Sequence, residues 1–252
     1  MEKIQNIYDN TKFFKEYKKM RNNNLNANEL LEIPHIIQML PNIKGKNILD
    51  LGCGFGNMSR FFIENGANHV TAIDISKNML CEARRMNFSP KIDYKILHME
   101  NITKLDKKYD IVFSSLAVHY VSDFKKLCED INSLLNKNGY FVFSQEHPIS
   151  TAIDHPKKQN LEYKHVDIFG KRYFLLSDYN NESKRCLNWN VDGVIKYHRS
   201  FTTIINNLID SGFNVERIEE SKPNDNATKL VAKYAYQIDK PYFLFLRVKN
   251  KK

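Results

Sequence analysis

The chain has 252 residues, 42% apolar, 27% charged and 12% aromatic, a composition that supports a sizeable core and argues against extensive disorder. At this length roughly three quarters of the unfolded surface is buried on folding, so disulfides or metals are not needed for a core, and no run of about 18 apolar residues is present to span a membrane. The net charge of +9 rests on 38 basic residues, only 9 of them Arg; a Lys-rich, Asn-rich excess fits codon bias in an AT-rich genome better than a nucleic-acid footprint, because specific phosphate and base contacts favour the bidentate Arg fork. Cys53, Cys81, Cys128 and Cys186 are scattered, without Cys-x-x-Cys spacing, and indicate neither a disulfide framework nor a zinc site. Met1 to Asn6 lacks the apolar core of a signal peptide, so a cytoplasmic protein is expected.

In chain order, residues 1–40 look helical, with Phe13, Phe14, Tyr17 and Met20 on one stripe that serves either packing or as a cover over a ligand. Asn47 to Leu51 is a short apolar run ended by glycines, the pattern of a buried strand, and the helix carrying Met58, Phe61, Phe62 and Ile63 stops at Asn65-Gly66. His69 to Asp74 is the second strand, and Ser76 caps a helix bearing Met79, Leu80 and Ala83. Strands are predicted at Tyr94 to Leu97, Asp110 to Ser114 and Tyr140 to Ser144, with a helix between the last two that stops at Asn138-Gly139. From Ile149 to Val194 the sequence is polar and aromatic without a sustained period, and is expected to form an insertion or lid. A helix over 200–210, a strand over 213–218, a loop with a short helix over 219–240 and a last strand over 241–248 complete the chain. The alternation predicts a single α/β domain, Rossmann-like and doubly wound, with a mostly parallel sheet. Within it, 1–40 is a helical cover, 41–148 the cofactor-binding core, 149–196 the insertion and 197–252 the rest of the sheet.

The segment Asp50-Leu51-Gly52-Cys53-Gly54-Phe55-Gly56 joins the first strand to the first helix. Glycines there let the backbone turn sharply and approach a ligand at the positive end of a helix. Asp74, ending the second strand, is placed to accept hydrogen bonds from both hydroxyls of a ribose, so the unit as a whole points to a nucleoside-containing cofactor. The dinucleotide fingerprint is G-x-G-x-x-G, whereas the spacing here is G-x-G-x-G behind an acid. Asp50 would repel a pyrophosphate and attract an ammonium group. The residues therefore favour S-adenosylmethionine over NAD.

At this point the chain resembles the class I S-adenosylmethionine-dependent methyltransferases. Ile48 to Gly56 looks like their first motif, and Ala72 to Ser76 with Met79-Leu80 is similar to their ribose-binding acid and the apolar wall beside adenine. Tyr109 to Tyr120 resembles the fourth-strand motif of the small-molecule "type 11" subgroup, and residues 8–21 its N-terminal cover. The resemblance implies a seven-stranded sheet whose last strand is antiparallel. It also implies cofactor contacts from Tyr17, Arg21, Asp50, Gly52, Cys53, Gly54, Asp74, Ile75, Met79, Ser114 and His119, with Glu100 or Asn101 at the adenine edge.

The sulfonium is already activated, so placing a nucleophile in line does most of the work, and a base poised near neutrality helps where the acceptor carries a proton. His119 and His147, just past the fourth and fifth strands, are the candidate bases; His198 is a third, and each alternatively serves as a hydrogen-bonded structural histidine. Tyr17 and Tyr120 are placed to line a methyl channel, and Arg21 or Arg60 to pair with the methionine carboxylate. Ser114-Ser115-Leu116-Ala117 stands where enzymes acting on exocyclic amines carry Asp/Asn-Pro-Pro-aromatic, which counts against DNA N-methylation. The expected function is methyl transfer to a small molecule. An RNA or tRNA methyltransferase using the basic surface and a non-catalytic S-adenosylmethionine-binding protein remain as alternatives.

Overall fold

A computed structural model describes residues 5–153 and 165–252. The elements follow as α1 (Thr11–Arg21), a π-helical turn (Asn28–Glu32), α2 (Ile33–Gln38), β1 (Asn47–Leu51), α3 (Asn57–Glu64), β2 (His69–Asp74), α4 (Lys77–Met86), β3 (Ile92–Ile96) and β4 (Tyr109–Ser114). Then come α5 (Phe124–Leu134), β5 (Leu135–Glu146), α6 (Pro148–Thr151), β6 (His165–Ile168), β7 (Lys171–Phe174), β8 (Lys184–Trp189) and β9 (Val191–Tyr197). The chain ends with α7 (Phe201–Asp210), β10 (Phe213–Glu220), α8 (Asp225–Leu230) and β11 (Phe243–Asn250).

Seven strands form one sheet in the order β10-β11-β5-β4-β1-β2-β3, in which β11 runs antiparallel to both neighbours and the pairs among β1 to β5 are parallel. This is the expected Rossmann-like arrangement. Because side chains alternate across a strand, β1 sends Leu49 and Leu51 to one face and Ile48 to the other. On the first face, α5 and α7 pack Phe124, Leu127, Ile131, Ile204 and Leu208 against Val112, Phe141 and Leu246. On the second, Phe62 of α3, Leu80 and Ala83 of α4, and Leu31 and Ile36 of the N-terminal segment cover Val70, Phe113 and Phe245. Covering on both faces explains why the parallel strands read as near-continuous apolar runs. From β1 the chain crosses outward to β2, whereas β4 lies on the other side of β1; their C-terminal ends therefore open a crevice at the switch point.

Two expectations are corrected. The helix expected to reach Asn138-Gly139 ends at Leu134, and β5 begins at once. Leu135 is buried opposite Tyr109, and Asn138, at φ 60°, belongs to a bulge before Tyr140 pairs with Ile111. The insertion is also more regular than expected. It carries two antiparallel hairpins, β6–β7 and β8–β9. The first turns through Phe169-Gly170 with both φ values positive (50° and 77°), the two-residue turn that suits strand twist but without its usual Asn-Gly signature. Both strands of that hairpin are largely exposed, so no apolar alternation marked them.

Arg185 of β8 holds the second hairpin against α6. Its guanidinium is buried and donates to Ala152 O (3.2 and 2.8 Å), Asn181 O (2.8 Å) and the Ser183 hydroxyl. Arg185→Met keeps the volume and removes the donors. It is expected to lower unfolding free energy by about 1.5–3 kcal/mol in urea denaturation, the range for hydrogen bonds to a charged group.

Candidate active site

The crevice at the ends of β1, β2 and β4 is a cavity of about 370 Å³. Its floor is the loop Gly52–Gly56, in which all three glycines have positive φ (69°, 54° and 77°). Gly52 N–H and Cys53 N–H both donate to Ile73 O at 2.9 Å, which fixes the loop to β2. A Cβ on Gly52 would lie 2.6 Å from that of Ala117, and one on Gly56 would lie 2.3 Å from the Tyr94 hydroxyl. One on Gly54 would meet nothing within 4 Å, because that residue faces the open cavity.

Asp74 closes the loop from the side. Oδ2 accepts from Gly54 N–H at 3.0 Å and Oδ1 from Ser76 N–H at 2.8 Å. Ser76 caps α4 through Met79 N–H (3.1 Å) and donates its own hydroxyl to Asp9 at 2.6 Å. Asp9 also accepts from Asn78 N–H at 3.0 Å, so the N-terminal segment is pinned to the start of α4. Ile75, Met79, Leu97 and Met99 form an apolar wall beside Asp74, with Glu100 at its edge accepting from Ser122 N–H and Oγ at 3.1 and 3.0 Å.

The roof comes from two distant parts of the chain. Tyr8 and Tyr17 reach over from the N-terminus, and Tyr8 Oη donates to Tyr120 Oη at 3.1 Å. The Tyr8 and Tyr17 rings meet edge to face with centroids 5.1 Å apart, and Trp189 of β8 packs on Tyr17 at 6.1 Å. Ile195 and Tyr197 of β9 complete the lining. Gln5 joins the two parts, donating to Gly193 O at 2.6 Å and accepting from Ile195 N–H at 2.8 Å.

The electrostatics are acidic. Asp50 lies under the loop, accepting from Ser59 Oγ at 2.6 Å, and burial pushes its carboxyl up to about 7. Burial likewise raises Asp74 to about 6 and Glu32 to about 7. Three carboxyls that are costly to ionise make a site whose natural guest is cationic.

Of the residues singled out in the sequence, Tyr17, Arg21, Asp50, Gly52, Cys53, Gly54, Asp74, Ile75, Met79 and Glu100 all line this cavity. Four do not. Asn101 sits one position beyond Glu100, in a 3₁₀ stretch whose wall is formed by its neighbours. Ser114 is buried in the sheet and spends its hydroxyl on Leu51 O at 3.0 Å; the next residue, Ser115, faces the cavity instead. His119 lies behind Tyr120, with Nδ1 accepting from Glu146 N–H at 3.5 Å, and burial drives its pKa down to about 4, too weak for a base at neutrality. His147 is a structural joint: Nε2 meets Glu220 Oε1 at 2.8 Å and Nδ1 caps α6 at Ile149 N–H. His198 is similarly engaged, by Thr151 and Tyr179. Arg60 pairs with Glu64 at 2.6 Å outside the cavity, which leaves Arg21 as the arginine of the lining. Sequence reading missed Ser115 and, behind it, Glu32. The signal for Glu32 was an acid set among aliphatics in Leu30-Leu31-Glu32-Ile33.

Comparison with known proteins agrees with this geometry. Residues 49–143 match the family described as a methyltransferase domain. A protein of Haemophilus influenzae is 37% identical over 220 residues, 85% of each chain. The crystal structure of an S-adenosylmethionine dependent methyltransferase from Mesorhizobium loti superposes with a TM-score of 0.78 at 34% identity, over 89% of this chain and 98% of that one. The chain belongs to the class I S-adenosylmethionine-dependent methyltransferases. Its cofactor is S-adenosylmethionine. A malonyl-acyl-carrier-protein O-methyltransferase of Hamiltonella defensa is 31% identical over 109 residues, 43% of this methyltransferase and 41% of its own length. Among the described residues, no helix is long and apolar enough to cross a membrane, and no His/Cys/Asp/Glu group could hold a metal ion.

Two outcomes follow from the loop and its acids. Gly56→Ala is expected to destabilise the methyltransferase by about 1–2 kcal/mol from the left-handed backbone alone, and further by displacing Tyr94. Gly54→Ala carries only the backbone cost but fills the cavity, so its loss should show in cofactor affinity more than in melting temperature. The buried carboxyls set the sign of the pH dependence. Their folded pKa values exceed the unfolded ones, so their contribution is greatest at low pH and is lost as pH rises through about 6 to 7. The cofactor-free protein should melt at lower temperature at about pH 8 than at about pH 5.5, and Asp50→Asn should flatten that slope in a thermal-shift series.

Proposed function

We propose that this methyltransferase acts on a small molecule enclosed between the glycine loop and the aromatic roof. The observation that carries the reading is the roof itself. Tyr8, Tyr17 and Tyr120, with Ile195 and Tyr197 of the hairpin, line one side of a partly open cavity of about 370 Å³ and narrow it opposite the glycine loop. The basic residues of the chain do not gather there: among the lining residues Arg21 is the one arginine and lysine is absent. That weighs against an RNA acceptor, whose phosphates would need cations at the mouth. The stretch shared with the malonyl-acyl-carrier-protein enzyme is too short to carry its acceptor across.

The residues present fit the cofactor. Asp74 has lone pairs left beyond the two it gives to Gly54 and Ser76, enough for a ribose diol. Ile75, Met79, Leu97 and Met99 offer apolar flanks to a purine, with Glu100 at its edge. Gly54 leaves open space where any side chain would intrude. Arg21 offers a buried guanidinium nitrogen, Nη1, without a hydrogen-bond partner, to a carboxylate. Asp50 supplies negative field nearby.

When bound, S-adenosylmethionine supplies a methyl group on positively charged sulfur, so the protein's share is placement. Holding reactants in near-attack geometry is worth about 7–11 kcal/mol. The tyrosine roof excludes water and orients the acceptor, and the acidic floor favours the cation over the neutral product. His119 and His147 take no part in this account, since neither reaches the cavity.

Isothermal titration with S-adenosylmethionine, S-adenosylhomocysteine and NAD tests the assignment: micromolar binding of the first two and none of NAD is expected. Asp74→Ala should weaken adenosyl binding by about 1–3 kcal/mol, the cost of charged hydrogen bonds lost. Unchanged affinity would remove Asp74 from the ribose site. Transfer of labelled methyl to bulk RNA and to no metabolite fraction would overturn the small-molecule reading.

A further inference from the structure

A second cleft opens at the other end of the sheet, where β1, β2 and β4 begin. It has a volume of about 410 Å³ and is lined by Asn47, Asn68, His69, Lys107, Lys108 and Tyr109. Tyr109, the first residue of β4, is 2% exposed, and its hydroxyl is buried without a hydrogen-bond partner. Burial raises the pKa of this phenol and so keeps it protonated, as a donor; the Thr71 hydroxyl is near enough to act the other way but outside hydrogen-bond reach. Thr71 Oγ1 is itself buried and unpartnered. A polar atom held out of water without a partner costs free energy, which a ligand reaching it recovers.

The rest of the lining is also rich in donors. Asn68 Nδ2 donates to Asn47 Oδ1 at 2.8 Å, which occupies the Asn47 oxygen and leaves its amide N–H groups to donate. The Lys108 ammonium spends one hydrogen on Ser133 O near the end of α5 and keeps two. Lys107 is exposed and forms no ion pair with a described residue. Burial, then the charges of Lys107 and Lys95, lower the pKa of His69, so its ring is neutral with one N–H. Burial and Lys108 push Lys252 the same way. Two groups depressed by neighbouring lysines mark a positive potential. Carboxylates do not offset it inside the cleft. Asp93 favours the charged form of His69 but is paired with Lys95 at 3.2 Å. Asp110 accepts from Asn47 N–H at 2.9 Å and Asn136 Nδ2 at 3.0 Å, and neither of these acids nor Asp106 lines the cleft.

We infer that this cleft is an anion site that takes a phosphate group, free or carried on a small molecule, with Lys107, Lys108 and the Tyr109 hydroxyl as its main contacts. Phosphate presents several acceptor oxygens and up to two negative charges, which match a set of donors that includes two lysines; Lys serves such an anion as a point charge. A carboxylate, with one charge and two oxygens, would leave part of that set unused. The two cavities share no lining residue, so the anion site stands whether or not the adenosyl assignment holds. Phosphate bound there ties the loop before β4 to the starts of β1 and β2, the strands whose other ends form the catalytic crevice.

The test is calorimetric titration of the full chain with inorganic phosphate and with ribose 5-phosphate, in phosphate-free buffer at fixed ionic strength. Saturable one-to-one binding is expected, with a dissociation constant of about 1 mM or tighter. Tighter binding of ribose 5-phosphate assigns the site to a phosphate ester; equal or weaker binding assigns it to the free anion. Lys107→Ala and Tyr109→Phe should each weaken binding by about fivefold or more. Lys104→Ala removes the same charge from the neighbouring 3₁₀ stretch, outside the cleft, and should change binding by less than about twofold. Without phosphate, Tyr109→Phe should keep the wild-type melting temperature, since the hydroxyl it removes has no bond to lose. If it melts lower, Lys107→Ala against Lys104→Ala decides alone. Non-saturable binding of both probes, unchanged affinity in Lys107→Ala, equal loss in Lys104→Ala, or displacement of phosphate by S-adenosylhomocysteine would overturn the site.

Discussion

The carboxylate of Asp74 holds this site together. It ends β2, yet its two oxygens reach the glycine loop at Gly54 and the start of α4 at Ser76. Through Ser76 the same network reaches Asp9 and with it the N-terminal segment. A single half-buried acid thus fixes the relation of floor, wall and cover. The arrangement depends on glycine at 52, 54 and 56, because only a loop in the left-handed region aims Gly54 N–H at that carboxylate. The ribose-binding role argued for Asp74 uses oxygens that are already oriented, so ligand binding demands little further ordering.

Holding Asp50, Asp74 and Glu32 out of water has a thermodynamic consequence that matches the family's cofactor. Burial raises all three, so in the free protein a share of this negative charge is suppressed by bound protons. A cationic guest reverses that balance, since each carboxyl ionises more readily beside a positive charge. Affinity for the sulfonium and ammonium groups is therefore linked to proton release from the floor. The neutral thioether product loses the sulfonium part of this attraction, a difference that favours product departure over cofactor departure.

The sheet was legible because its strands are buried on both faces. Runs such as Val70 to Ile73 and Ile111 to Phe113 admit few other readings, and Gly52, Gly54 and Asp74 fall where the run-and-loop pattern put them. What failed was whatever depended on side-chain direction. Ser114 and Ser115 are adjacent, and only the pleat decides that the first bonds to Leu51 while the second meets the cavity. His119 and His147 stand at the correct strand ends, but Tyr120 screens one and Glu220 engages the other. The first hairpin went unseen because its strands are largely exposed, and the second because its alternately buried positions include Arg185 and Lys196, polar residues that hide the period. Glu32 was hidden by its neighbours, since an acid between Leu31 and Ile33 reads as an interruption of a core helix until its serine partners are located.

The roof is the part of the site hardest to read from sequence. Its residues come from three separate places: Tyr8 and Tyr17 from the cover, Tyr120 after β4, and Ile195 and Tyr197 from β9. None belongs to the glycine-loop pattern, and each is set by contacts made across the chain. Gln5 bonds β9 through both halves of its amide, Lys196 of β9 pairs with Glu146 at the end of β5, and the same ammonium lies 4.7 Å above the Trp189 ring. Cover, hairpin and sheet edge are thereby coupled, and the cover is tied in turn to the floor through Asp9, Ser76 and Asp74. The floor is thus built by the strand ends and glycine loop, which neighbour one another in sequence, and the roof by side chains that meet only through contacts made across the chain.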